Sequence, residues 1–342
     1  MLESRLVTSF LKSKKPNSKY VKSASFNPWL NLAIEEYLVE HVKENEVILY
    51  LWQNMDTVVI GSNQNPWKEC NVEKMQKNGI KLARRLSGGG AVFHDGGNLN
   101  FTFVTGKDLY DQEKQLRVIL DAVNSFGLNA EFSGRNDILI NGRKFSGNAY
   151  YFGDDSSYHH GTLLVDADIT KLSENLNPSK QKIVSKGIDS VKSRVVNLKA
   201  IDDSINIGSM KSSVFKSFQK TYGNVYAYTE YTDAAIKDEE IRKLYEKYSS
   251  WEWIYGESPS FDACYDNRFN WGEVQIGLNF VDGCIKNVKV YTDSMNTSFV
   301  EKLSDMLTGV KFQNKEMLKA IRSARINYEE KQIFADIASL FE

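Results

Sequence analysis

Two arginines and three consecutive glycines stand together in Arg84-Arg85-Leu86-Ser87-Gly88-Gly89-Gly90-Ala91-Val92-Phe93-His94-Asp95. A triglycine adds nothing to a core and costs backbone entropy in any regular element. It does let main-chain amides approach a ligand closely and point at an anion. The paired guanidiniums ahead of it would add forked donors for a phosphate or a carboxylate. The spacing is neither GxxxxGK[ST] nor GxGxxG, and a strand pattern follows instead of a helix, which argues against a Walker-type or dinucleotide phosphate site. The same residues also read as a flexible hairpin with solvated arginines, and residue types alone leave both readings open.

A second candidate is the hairpin from Asn136 to Ala149, turned at Asn141-Gly142, the strongest short hairpin signal. Strict alternation would place Lys144, Ser146 and Asn148 on one face and Arg143, Phe145 and Gly147 on the other. Lys144 then either offsets a ligand carboxylate and phosphate together, as a compact cation, or is a solvated edge lysine. Asp137 is either a magnesium ligand, with nucleotide phosphates completing the shell, or a turn residue. His159 and His160 are neighbours on a strand and face opposite sides, so they cannot share a metal; His159 reads as structural. The polar stretch 173–194, with Lys186-Gly187, reads as a long loop that either closes over a nucleotide or carries a surface lysine.

The elements that must position these residues follow from pattern. Asn27-Pro28 opens a helix in which Leu30, Ile34, Tyr37, Leu38 and Val42 form the apolar stripe, with Glu35, Glu36 and Glu40 off it. Strands are expected at 47–52, 57–61, 80–86, 91–94, 98–105, 137–140, 143–152 and 160–165. Helices are expected at about 72–77, ending at Asn78-Gly79, and at 111–126, ending at Gly127, with a helix-rich stretch at 212–248. WEWIYGESPSF reads as a junction, followed by strands at 273–281 and 284–291 and a helix near 297–308. Hairpins mixed with helices indicate an α+β fold with a mixed or antiparallel sheet.

Composition sets the frame. The 342 residues suit two domains, and 43 Lys plus Arg against 44 Asp plus Glu argue against a nucleic-acid binder working by phosphate neutralisation. Residues 251–342 carry a net −4 and the remainder a net +3, a cationic front suited to an anionic ligand. No apolar run is long enough to span a membrane. Cys70, Cys264 and Cys284 lack metal or disulfide spacing and suggest a reducing compartment. Residues 1–19 are basic, Ser-rich and without the apolar run of a secretory signal; a solvated, disordered extension is expected.

RRLSGGGAVFHDGGN, GRKFSGNAY, HHGTLL and SKGIDSVKSRVVNL, in this order and spacing, resemble a lipoate–protein ligase. QNPWKECN, WEWIYG and RFNWGEVQI fit the two-domain bacterial type, and the resemblance runs from about residue 20 to at least 310. It implies a mixed-sheet catalytic domain of the biotin/lipoate ligase superfamily over 20–249 and a small α/β accessory domain over 250–342. It further implies activation of lipoate by ATP and Mg2+ to lipoyl-AMP. The lipoyl group then passes to a lysine of an apo lipoyl domain or of the glycine cleavage H protein. Arg85, Gly90, Ala91, Val92, Phe93, Lys144 and Lys186 match nucleotide positions, and Lys144, Arg84, Ser87, Gly88, Gly89 and His94 lipoate positions. Trp52 and Val59 are expected along the lipoyl slot.

The competing expectations are a lipoyl or octanoyl transferase with a pre-activated donor, commonly needing a cysteine nucleophile, and a non-catalytic acyl-domain binder. Neither nucleic acid nor a membrane is expected as a partner. The expected location is the cytoplasm, or the mitochondrial matrix should residues 1–19 act as a leader in a eukaryotic source.

Overall fold

Asn27 caps the first long helix as its type suggests: its side chain accepts from the amides of Trp29 and Leu30, and Pro28 takes the first helical position. In the computed structural model, the structure describes residues 16–133, 136–175, 194–255, 261–323, 326–328 and 330–342. The first part of the chain runs β1 (Asn17–Ser23), α1 (Pro28–His41), β2 (Glu46–Trp52), β3 (Thr57–Ile60), α2 (Pro66–Glu69), α3 (Val72–Lys77), β4 (Lys81–Arg84), β5 (Val92–His94) and β6 (Asn98–Gly106). It continues with α4 (Gln112–Asn124), β7 (Ala130–Ser133), β8 (Asp137–Ile140), β9 (Arg143–Phe152), β10 (Ser156–Leu164), α5 (Ile169–Asn175), α6 (Ile207–Tyr222), β11 (Val225–Tyr231), α7 (Glu239–Ser249) and α8 (Trp251–Tyr255). The last unit holds β12 (Ala263–Phe269), β13 (Gly272–Val281), β14 (Cys284–Thr292), α9 (Ser298–Leu307), α10 (Asn314–Arg322) and α11 (Lys331–Ala338).

Eight strands form one mixed sheet in the order β11-β1-β2-β6-β10-β9-β8-β7, parallel across β11, β1 and β2 and antiparallel beyond. β6 lies near its middle and is buried along its whole length because both faces are covered. Leu99, Phe101 and Phe103 pack with α4 and α6, while Thr102 points the other way, to Glu35 of α1. Truncating either buried phenylalanine would cost about 3–5 kcal/mol. A small sheet, β4-β3-β5, has its own core with Cys70 and Ile254. The antiparallel sheet β12-β13-β14 buries Ile276, Phe299, Ile321 and Ile337 among others.

Four strands depart from the expectations. β1 begins at Asn17, inside the expected 1–19 extension, and pairs with both β2 and β11. β11 falls in the segment read as helix-rich, although VYAYTEY alternates with period two and leaves Tyr226 and Tyr228 exposed. β7 and β12 are short or polar and carry little apolar signal. Asn141 and Gly142 turn the β8–β9 hairpin with φ values of 51° and 72°, as their types predict. Of the expected 173–194 loop, residues 176–193, with Lys186, lie outside the described residues.

The alternation expected along β9 needs correction. Leu139 pairs with Lys144 but Ile138 pairs with Ser146, so Phe145 is an extra residue, a bulge. Phe145 turns into the core, and Lys144 lies on the same side as Gly147, where an added Cβ would sit 3.0 Å from its Nζ.

Candidate active site

The large sheet, the small sheet and the C-terminal unit border one cavity of about 430 Å³. Its buried part is lined by Leu32, Trp52, Val59, His94 and Asn100, and its partly exposed rim by Asp137, Lys144 and Arg268. An apolar interior with a few charged groups at one end is the usual form of a small-molecule site. Trp52 and Val59 both line it, as expected for a lipoyl slot.

Arg85 forms part of the wall, but its donors turn inward. Nε donates to Ser87 Oγ at 3.0 Å, Nη1 to the Val59 carbonyl at 3.2 Å, and Nη2 to the Gly88 and Gly90 carbonyls at 2.7 and 2.9 Å. Arg84 is further from the ligand space. It donates to the carbonyls of Ser62, Gln64 and Ile254, tying the β3–α2 loop and α8 to the small sheet. Burial pushes both guanidiniums down to about 10, still protonated at neutral pH. They hold the loop in shape.

The glycines divide the same way. Gly90 is open, with no atom within 4 Å of an added Cβ, and lines the cavity with Gly89, Ala91 and Val92. Gly88 and Gly89 are bare for another reason. A Cβ on Gly88 would sit 2.5 Å from the Ser294 carbonyl, and Gly89 has φ +94° with Met295 Sδ 2.9 Å from its would-be Cβ. The Gly89 amide donates to Ser294 O at 3.1 Å. Part of the glycine loop therefore seats the C-terminal unit. Arg84, Ser87, Gly88 and Phe93 stand behind the cavity wall.

On the opposite rim, Lys144 Nζ lies 2.7 Å from Asp137 Oδ1, with both side chains about one-third exposed. The Lys144 backbone is clamped by Arg194 O, at 2.6 Å from its amide, and by Val196 N, which donates to its carbonyl at 2.9 Å. The ammonium therefore starts from a fixed strand and ends in an exchangeable ion pair.

A buried network missed by the sequence reading runs from the glycine loop to β2. Trp52 Nε1 donates to Thr102 Oγ1 (3.0 Å), which donates to Glu35 Oε1 (2.6 Å). Glu35 also accepts from His160 Nδ1 (2.9 Å), and the ring's Nε2 lies 2.8 Å from Ser87 Oγ. Glu35 is 2% exposed, so this carboxylate on α1 faces inward next to the apolar stripe, not into solvent. The one signal available was two polar residues, Asn31 and Glu35, at i,i+4 on the same helix face, a face that the structure buries. His159 takes the other face, with Nε2 2.9 Å from Asn148 Oδ1 and its ring against Phe101; burial lowers it to about 3.

His94 has one tautomer available. Asn54 and Asn100 each direct an amide nitrogen at its Nδ1, at 3.1 and 3.5 Å. Their oxygens are taken by Asn31 and Asn98. Nδ1 therefore accepts and Nε2 carries the proton; burial, with help from the Arg85 charge, lowers the ring to about 3 and keeps it neutral. Nε2 is buried without a protein partner among the described residues, on a side chain that lines the cavity. It is a donor waiting for a ligand.

No cysteine lines the cavity among the described residues, and burial pushes the Cys70 thiol up to about 12. A thioester-type transferase would need the reverse. No cluster of three or more metal-ligating side chains and no helix long and apolar enough to cross a membrane occurs among the described residues.

Residues 27–219 match the lipoyl protein ligase A/B catalytic domain and residues 258–340 the bacterial lipoate protein ligase C-terminus. The chain is 44% identical to lipoate-protein ligase A of Blochmanniella floridana over 299 residues, 85% of this chain and 88% of that protein. The fold is similar to Plasmodium falciparum LipL1 in complex with lipoate (TM-score 0.82, 27% identity, 94% of this chain and 98% of that one). It is also similar to a lipoate-protein ligase A bound with ATP (TM-score 0.59, 26% identity, 71% and 99%). A third likeness is to a bipartite lipoate protein ligase studied with its E2 lipoyl domain from Thermoplasma acidophilum (TM-score 0.62, 27% identity, 72% and 100%). Family matches to both units and the identity to a curated relative agree, and the chain belongs to the lipoate–protein ligase A family.

Proposed function

We propose that this protein activates lipoate with ATP and transfers the lipoyl group to a protein lysine. The observation that carries the reading is the convergence of Gly90, His94 and Lys144 on one cavity, apolar inside and cationic at the rim. The lipoyl chain would lie against Leu32, Trp52 and Val59, with the Nε2–H of His94 available to the ligand. In the first step a carboxylate oxygen attacks the α-phosphorus and pyrophosphate leaves with the electron pair. Carboxylate and phosphate repel one another, and Lys144, leaving Asp137, would sit between them and offset that charge as it develops. Holding both groups in line supplies much of the remaining barrier reduction.

In the second step the acceptor amine attacks the acyl carbon and AMP departs. No protein nucleophile is required, since the adenylate is itself the activated donor. Asp137 is the only acidic side chain lining the cavity among the described residues. One carboxylate with phosphate oxygens and water is a usual magnesium environment, so the donor set fits Mg2+ arriving with ATP, which would screen the phosphates. Lipoyl domains of 2-oxoacid dehydrogenase E2 subunits and the H protein are the proposed acceptors, in the cytoplasm.

The test is incubation with lipoate, Mg·ATP and an apo lipoyl domain, followed by intact mass. An ATP-dependent gain of one lipoyl group on the acceptor is expected. Gain only with supplied lipoyl-adenylate would make the protein a transferase, and no gain under either condition a binder.

A further inference from the structure

The cavity has a wall that the catalytic domain does not own. Arg268, on β12 of the C-terminal unit, lines it together with Met295. With Arg84 and Arg85 spent on backbone carbonyls and Ser87, Arg268 and Lys144 are the cationic side chains left at its rim among the described residues.

Arg268 is placed to be given up to a ligand. Its Nη1 lies 3.2 Å from Glu273 and its Nη2 3.2 Å from Asp293, longer than the ~2.7–2.9 Å of a strong charge-assisted bond. Neither carboxylate would be stranded if it left. Glu273 also pairs with Lys68 of α2, and Asp293 Oδ1 keeps the Glu273 amide at 2.6 Å. The guanidinium is about one-third exposed, at the rim and not in the apolar interior. Its neighbours seat the unit on the glycine loop through Ser294 and Met295. A planar fork at that place can take two phosphate oxygens at once, which the point charge of Lys144 cannot.

We propose that Arg268 binds the β- and γ-phosphates of the nucleotide while the adenylate forms. This rests on the ATP-dependent reading above. As the Pα–O bond to the β-phosphate breaks, the negative charge accumulating on the departing pyrophosphate falls beside this guanidinium.

The test separates the half-reactions in the full chain. Arg268→Ala is expected to lower kcat/KM for ATP in ATP–pyrophosphate exchange by about ten- to a hundredfold. KM for lipoate, and transfer from supplied lipoyl-adenylate to an apo lipoyl domain, should stay within about twofold. Arg268→Lys should recover part of the exchange rate, since it keeps the charge but not the fork. Should Arg268→Ala fail to fold, Arg268→Gln, which keeps the stem, reads the same split. An unchanged ATP dependence, or equal loss in both half-reactions, overturns the assignment. A wild-type chain that makes no adenylate overturns the underlying reading instead.

Discussion

The glycine loop and the Lys144 hairpin face the same cavity and are built in opposite ways. On the loop side, two buried guanidiniums spend their donors on main-chain carbonyls and a serine, and Gly89 gives its amide to Ser294. On the hairpin side, Lys144 ends in an ion pair at the rim, as Arg268 does on the C-terminal unit. The first arrangement stores binding energy in shape; the second leaves charge free to exchange partners when a ligand arrives. A reaction that brings two anions together needs both, because a cation able to reach the ligand is useful only against a wall that does not move.

Mutations on the two sides should therefore fail differently. Lys144→Ala is expected to reduce adenylate formation by on the order of 10²–10³-fold, read as ATP–pyrophosphate exchange, with an unchanged melting temperature. Normal exchange by this variant would erase the distinction. Arg85→Ala should do the reverse and lose stability first. It leaves the Val59, Gly88 and Gly90 carbonyls without their donor, at about 1–3 kcal/mol for each group left unsatisfied. Chemical denaturation would show a lower midpoint, and KM for ATP and lipoate should rise together because one loop shapes both ends of the site.

Gly89→Ala combines a positive φ with the Met295 contact and should cost about 1–3 kcal/mol. Limited proteolysis near the C-terminal unit would reveal its loosened seat. A substitution at Gly90, which is open, should leave proteolysis unchanged and act on substrate affinity.

Acid should weaken the buried side before the rim. Burial holds His94 and His159 at about 3, so the unfolded chain, with histidines near ~6.5, binds more protons between those values. Their contribution to stability is complete above pH ~6.5 and is lost as pH falls toward 3. The slope of unfolding free energy between pH 6 and 5 should correspond to about two protons taken up on unfolding. His159→Gln should reduce it by about one, and a slope near zero in the wild type would contradict the neutral, buried assignment.

What the sequence could disclose followed local chemistry. Asn27-Pro28 and Asn141-Gly142 each carry their own geometry, and the strand pattern after the triglycine ruled against a helix-borne phosphate site. The bulge at Phe145 was invisible, since it is a register shift between two strands and leaves no mark on the alternation of one. Arg84 and Arg85 read as ligand donors because residue type does not record where carbonyls will lie. Their burial is imposed by α8 and by the folded loop itself. Glu35 was missed because its partners come from β6 and β10, 67 and 125 residues away.

A crystal structure with a non-hydrolysable lipoyl-adenylate analogue would decide most directly whether the two walls share one ligand. The lipoyl chain should lie along Leu32, Trp52 and Val59, with Lys144 Nζ moved off Asp137 onto the analogue's phosphate. An analogue bound elsewhere, with the Lys144–Asp137 pair intact, would contradict the shared cavity.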